Sequence, residues 1–171
     1  MELNRARAIA EEIMVLLDGS CDRKEIAGSI RRRKPDVGDI EILCIPRLEG
    51  IADSLDRRVQ GLMFQGVLAH RLNRLGRKVY GPKNKLMVHV PSGIGVDIFS
   101  TTEECWPVSM VVRTGGKATN QRIAMAALER GYQFHAYGSG FSTPDGDIVC
   151  RSEREVFEAV GLPYRESWER D

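Results

Sequence analysis

Apolar positions along the chain switch between helical and strand spacing several times, and each switch marks an element. Leu3, Ala6, Ile9, Ala10, Ile13, Leu16 and Leu17 recur at helical spacing, with Gly19 where a C-terminal cap belongs, which predicts an amphipathic helix over 3–17 backing a sheet. Residues 24–27 can make only a short strand before Gly28 and a turn of helix. Residues 39–45 alternate acids with Ile40, Ile42 and Cys44, a strand with one core face, and Pro46 ends it. Asp53 or Ser54 caps a longer helix marked by Leu55, Val59, Leu62, Leu68, Leu72 and Leu75 and stopped at Gly76, with Gly61 and Gly66 weakening its middle. Residues 85–90 and 95–99 read as a hairpin around the turn Pro91-Ser92-Gly93. Ile123, Ala124, Ala127 and Leu128 predict a small-residue helix closed by Gly131, and 132–137 a strand. Residues 143–146 are a turn with a return strand over 147–150. Ser152 with Glu155 forms a capping box for a last helix carrying Val156, Phe157 and Val160, terminated by Gly161 and Pro163.

Composition narrows the partners. The 171 residues suffice for one domain or two small ones, and 42% hydrophobic content is ample for a packed core. Lys plus Arg number 25 against 24 acids, so a net charge of +1 leaves any grip on nucleic acid to local clusters. Such clusters lie before residue 90: Arg31 to Lys34, Arg57-Arg58, Arg71 with Arg74, Arg77-Lys78, and Lys83 with Lys85; plain solvated surface is the competing reading. Cys21, Cys44, Cys105 and Cys150 include no C-x-x-C pair, which argues for reduced, mostly buried thiols instead of a zinc or redox motif. His70, His89 and His135 have no ligand spacing and are expected to be surface or satisfied structural histidines, not catalysts. No stretch approaches the ~20 apolar residues of a membrane span, and Glu2, Glu11 and Glu12 occupy what would be the basic start of a signal peptide, so a cytoplasmic protein with no membrane partner is expected; a monomer is expected as well.

The chemistry concentrates between Gly28 and Glu41. A Gly-Ser opening a helical turn offers backbone N–H groups to an anion, and a strand then aims Asp39 and Glu41 the same way. Two carboxylates a strand period apart, facing a phosphate site, suit Mg²⁺ against a triphosphate, because hard cations take oxygen ligands from protein and substrate together. That points to phosphoryl or nucleotidyl transfer. The same run also reads as a turn, a solvated basic face and an exposed edge pair. Asp97 is a lone acid between Val96 and Ile98, either a third ligand beside Asp39 and Glu41 or a surface-facing strand residue.

The order of these parts, Gly28-Ser29-x-Arg31-Arg32 and then Gly38-Asp39-x-Glu41 leading into an apolar strand, resembles the active-site signature of the DNA polymerase beta superfamily of nucleotidyltransferases. Val96-Asp97-Ile98 resembles the second acidic strand of family X polymerases, and Thr114-Gly115-Gly116 with Asn120 their Thr-Gly-Ser loop and nucleotide-contacting Asn. The run from Glu155-Val156-Phe157 through Gly161-Leu162-Pro163-Tyr164-Arg165-Glu166 resembles the close of their thumb. The resemblance covers residue 25 to the end, in the family's order, and is most like a minimal palm-plus-thumb viral-type polymerase, virus- or phage-encoded, with no room ahead of residue 25 for a lyase or fingers domain.

The resemblance implies an α/β (α+β) fold: a nucleotidyltransferase palm over 1–108, with a mixed sheet backed by helices, and a small α/β thumb over 109–171. It implies a DNA polymerase adding nucleotides from dNTPs to a primer 3′ hydroxyl, on primer-template or gapped DNA, in short-gap repair synthesis. Asp39, Glu41 and Asp97 would then be catalytic, binding two Mg²⁺, with Mn²⁺ as the alternative ion. Gly28, Ser29, Arg32 and Gly38 would hold the phosphates, and Thr114, Gly115 and Asn120 the sugar and base side. Three positions depart from the family pattern: Glu41 replaces Asp, Val112-Arg113 replaces an aromatic pair, and Gly95 stands where Arg is expected before the third acid. The alternatives are a superfamily transferase acting on RNA, a protein or a small molecule, and a non-catalytic nucleotide- or DNA-binding module.

Overall fold

The computed structural model describes residues 1–171, and they form two compact units, 1–100 and 101–171. No helix is long and apolar enough to cross a membrane.

The first unit contains α1 (Leu3–Leu16), β1 (Cys21–Ile26), α2 (Gly28–Arg31), β2 (Asp39–Pro46), a small hairpin of β3 (Leu48–Glu49) and β4 (Ala52–Asp53), α3 (Ser54–Phe64), β5 (Leu68–His70), β6 (Asn84–His89) and β7 (Gly95–Ser100). Five strands make a mixed sheet in the order β1-β2-β7-β6-β5, in which only β2 and β7 run parallel. Period-2 alternation sends Ile40, Ile42 and Cys44 of β2 and Val96 and Ile98 of β7 to one face, where all are fully buried. There they pack with Ala6, Ala10 and Ile13 of α1 and Leu55, Val59 and Leu62 of α3. Each fully buried aliphatic side chain contributes about 1.5–3 kcal/mol. With that face spoken for, Asp39, Glu41 and Asp97 are directed to the opposite one.

The helix predicted to continue to Gly76 stops at Phe64. Gly66 adopts φ +73°, and Leu68 leaves the helical stripe to pair with His89 at the sheet edge. Leu72 and Leu75 are exposed instead of buried. Pairing of β5 with β6 satisfies backbone groups that a weak, glycine-broken helix would leave frayed, so tertiary pairing overrides the helical period. β1 also begins three residues earlier than expected, at Cys21.

The second unit contains α4 (Trp106–Thr114), α5 (Lys117–Glu129), a three-stranded antiparallel sheet of β8 (Gln133–Phe134), β9 (Gly140–Thr143) and β10 (Gly146–Val149), α6 (Glu153–Glu158) and a 3₁₀ turn over Ser167–Glu169. Its core joins Val108 and Val111 of α4, Ile123 and Ala127 of α5, Phe141, and Val156 and Phe157 of α6. Because α4 contributes to this core, the chain divides at Ser100, ahead of the boundary at 108 expected from the sequence. Periodicity had not singled out α4, which is buried on nearly every side. Ser152 caps α6 by accepting from the Glu155 amide, while the Glu155 carboxylate reaches the amide of Arg151, one residue short of a closed capping box. Arg170 is fully buried: Nε donates to the Arg165 carbonyl at 3.0 Å, Nη1 to Glu153 Oε2 at 2.8 Å, and the guanidinium lies over the Phe157 and Tyr164 rings.

All four cysteines are free, three of them buried. Burial pushes the Cys150 thiol up to about 11. A hydrogen bond with Cys44 pulls the Cys21 thiol down to about 7 and raises that of Cys44. His89 accepts or donates at Nδ1 with Ser92 Oγ and His135 at Nε2 with Ser142 Oγ, both at 2.8 Å, in keeping with structural roles.

Candidate functional site

Parallel pairing of β2 with β7 aligns Asp39 with Gly95, Ile40 with Val96 and Glu41 with Asp97. The three acids therefore lie on adjacent strands of one sheet face, two in a column along β2 and one directly beside Glu41. Asp97 is the most buried, its side chain 13% exposed against 42% for Asp39.

Next to this face stands the junction of β1 and α2. The Ala27 amide donates to the Glu41 carbonyl at 2.8 Å, tying the entry of α2 to the middle of β2. Gly28 follows in the left-handed region, φ +60°, where a side chain costs roughly 1–2 kcal/mol. A Cβ there would also lie 1.8 Å from Glu41 Oε2, so the carboxylate of Glu41 rests on the glycine itself. Ser29 is half-buried, and its Oγ is buried without a hydrogen-bond partner. An orphaned hydroxyl beside a glycine cradle and carboxylate oxygens is a donor set that suits a phosphate with hard divalent cations. Arg32 is half-buried, its amide closing on the Gly28 carbonyl at 3.1 Å. Gly38 is exposed and a Cβ there would meet no atom, so the protein itself makes no use of its lack of a side chain.

One cation belongs to this face that the sequence had suggested only as a surface charge. Arg71 Nη2 donates to Asp97 Oδ1 and lies 3.9 Å from Asp39 Oδ2. It was hidden because it follows β5, which looked like the middle of a helix. No group of three or more His, Cys, Asp or Glu side chains is gathered to hold a metal ion: Arg71 lies with Asp39 and Asp97, while Glu41 turns to Gly28.

The other basic clusters disperse. Arg57 faces Glu49 at 3.3 Å, and Arg58 donates to the Asp18 carbonyl. Lys85 is not surface at all; it is 2% exposed, 3.2 Å from Asp56 Oδ1, with the Tyr80 ring 4.8 Å away.

In the second unit, Thr114 is fully buried at the end of α4, Gly115 takes φ +69°, and the Gly115–Gly116 peptide is cis. A Cβ on Gly116 would meet the Asp171 backbone at 1.8 Å, which accounts for a second glycine here. Asn120 donates from Nδ2 to the Val112 carbonyl at 2.9 Å, and its Oδ1 is buried without a partner.

Residues 109–171 match the family model described as DNA polymerase beta thumb. No curated protein matches the chain. Among solved structures, the ternary P/T complex of Leishmania infantum polymerase beta superposes with a TM-score of 0.72 at 23% identity, over 98% of this chain and 73% of that one. The ternary gap complex of the same polymerase gives 0.74 at 22% identity, over 98% and 68%. At those identities the structural likeness speaks for the fold. Residues 109–171 are thus similar to a DNA polymerase beta thumb, and the whole length of the chain has the fold of those polymerase beta structures.

Proposed function

We propose that the protein is a metal-dependent, DNA-directed nucleotidyltransferase that adds nucleotides from dNTPs to a primer 3′ hydroxyl, acting as a cytoplasmic monomer with its palm in the first compact unit and its thumb in the second. The observation that carries this reading is the register of β2 and β7, which aligns Asp39, Glu41 and Asp97 on the sheet face opposite the helices, beside the Gly28-Ser29 junction. The ternary gap complex among the similar structures favours gapped DNA as the substrate, and short-gap repair synthesis as the role.

Asp39, Glu41 and Asp97 would hold two Mg²⁺, or Mn²⁺. Ions bound there supply positive charge against the triphosphate and lower the pKa of the attacking hydroxyl. Gly28, Ser29, Arg32 and Gly38 receive the phosphates: the Ser29 hydroxyl has an unused hydrogen bond to give, and Arg32 adds charge. Thr114, Gly115 and Asn120 orient the sugar and base, with Asn120 Oδ1 as a spare acceptor.

A second reading, a non-catalytic nucleotide- or DNA-binding module, draws on the Glu41 carboxylate resting on Gly28 and on Arg71 paired to Asp97. Primer extension on gapped DNA with each dNTP and NTP, in Mg²⁺ and in Mn²⁺, separates the two. Incorporation lost in Asp39→Ala supports the transferase; nucleotide binding without incorporation in either ion supports the module.

A further inference from the structure

Arg71 sits in a socket that other residues have shaped for it. Its amide donates to the Leu86 carbonyl at 3.1 Å; Leu86 is in register with Asp97, and Asp97 with Glu41. The row across the sheet therefore runs Arg71, Leu86, Asp97, Glu41, and the long arginine side chain crosses one strand to reach the acid on the next. Gly95 makes the space. A Cβ there would lie 3.0 Å from Cζ and 3.1 Å from Nε of Arg71, close enough that the guanidinium would have to give by a few tenths of an ångström. Nη2 bonds Asp97 and approaches Asp39, whereas Nε is buried with no hydrogen-bond partner. The acids at one end hold the group, not a complete set of bonds around it.

We propose that Arg71 is the resident counter-cation of Asp39 and Asp97, seated over Gly95, and that a divalent ion must displace its guanidinium from Asp97 to bind. This rests on the reading of Asp39, Glu41 and Asp97 as metal ligands. Two cations cannot share one carboxylate oxygen without repulsion, so the resident arginine lowers metal affinity by the fraction of time it occupies Asp97. Arg71 is thus a positioning residue: it keeps the acids neutralised and oriented before loading, and sets how readily they load.

The test is Mn²⁺ titration of the full chain without nucleotide, read from the EPR signal of free ion, with melting temperature alongside. Arg71→Gln is expected to bind Mn²⁺ roughly three- to tenfold tighter than wild type, the size of effect a partly exposed ion pair can exert. Gly95→Ala, which presses on the guanidinium by a few tenths of an ångström while keeping its charge, is expected to shift affinity in the same direction by a smaller factor. Unchanged or weaker Mn²⁺ binding in Arg71→Gln overturns the proposal; if Asp39→Asn still abolishes binding in that case, the metal site itself stands. Absence of Mn²⁺ binding in wild type and Arg71→Gln alike overturns both.

Discussion

Glu41 and Gly28 share one space: the Glu41 Oε2 atom lies 1.8 Å from where a Cβ on Gly28 would be, and Gly28 is held at φ +60°. Backbone hydrogen bonding between Ala27 and Glu41 fixes the two segments, so the reach of the glutamate decides where its carboxylate lands. Gly28→Ala therefore meets two obstacles, a strained backbone and an occupied volume. We expect a loss of about 1–2 kcal/mol in stability, and displacement of the carboxylate with a larger loss of nucleotide incorporation. Thermal melts and primer extension, run together, check this; full activity in Gly28→Ala would mean that the Glu41 position is immaterial.

The same contact bears on ion choice. Mg²⁺ demands near-ideal octahedral geometry, and a carboxylate drawn onto Gly28 serves it poorly, whereas Mn²⁺ is satisfied by more varied coordination. The wild type is expected to work faster with Mn²⁺. Glu41→Asp, whose shorter arm cannot rest on Gly28, should change the Mg²⁺ rate several-fold more than the Mn²⁺ rate. Comparing the Mn²⁺ to Mg²⁺ rate ratio of the two proteins is the measurement, and an identical ratio would remove Glu41 from the ligand set.

Asp39 and Asp97 should separate in stability though not in activity. Either alanine variant is expected to abolish nucleotide transfer. Asp97→Ala leaves the Arg71 guanidinium, only 33% exposed, without its main partner, at a cost of about 1 kcal/mol. Asp39 is more exposed and 3.9 Å from Arg71, so Asp39→Ala should melt like wild type, or slightly higher. Equal melting temperatures for the two would argue against the Arg71–Asp97 pair in solution.

Lys85 and Asp56 provide a pH signature away from the site. Burial pushes the Asp56 carboxyl up, but hydrogen bonding and the charge of Lys85 outweigh it and hold the group below its ordinary value of 3.8. A folded-state value lower than the unfolded one means that the stabilisation is complete above the unfolded value and is lost as pH falls toward the folded one. The melting temperature should thus drop below about pH 4 more steeply in wild type than in Asp56→Asn. Asp56→Asn itself should lose about 2 kcal/mol at neutral pH, since Lys85 is left buried without its counter-charge. A neutral-pH melt equal to wild type would contradict this.

DNA affinity should be modest and fall with salt, with a slope set by the number of cations that meet phosphates. Net charge is only +1, and with Arg57 facing an acid and Lys85 buried, the basic clusters offer fewer cations to phosphates than the sequence alone suggests. Binding of a gapped duplex at several salt concentrations measures the slope; salt-independent nanomolar binding would point to apolar recognition instead.

Local patterning carried much of this protein. Alternation over Asp39–Ile42 of β2 and Val96–Ile98 of β7 specified which residues enter the core and which face away, because successive side chains of a strand point to opposite faces. The left-handed glycines 19, 28, 66 and 131 likewise fall where chain reversals require them. The sequence by itself thus determined that Asp39 and Glu41 lie on one side of a strand, and that Asp97 lies on a strand between two core residues. Only tertiary pairing decided that β7 runs parallel to β2 with Asp97 beside Glu41, that residues 68–70 leave a helical pattern for a sheet edge, and that Arg71 reaches the acids from there. It also decided that Lys85, one of several lysines along the chain, is buried against Asp56, and that Arg170 is buried against Glu153. The reason is physical: side-chain period is local information carried by a few neighbours, whereas strand register and the partner of a long charged side chain depend on residues tens of positions away.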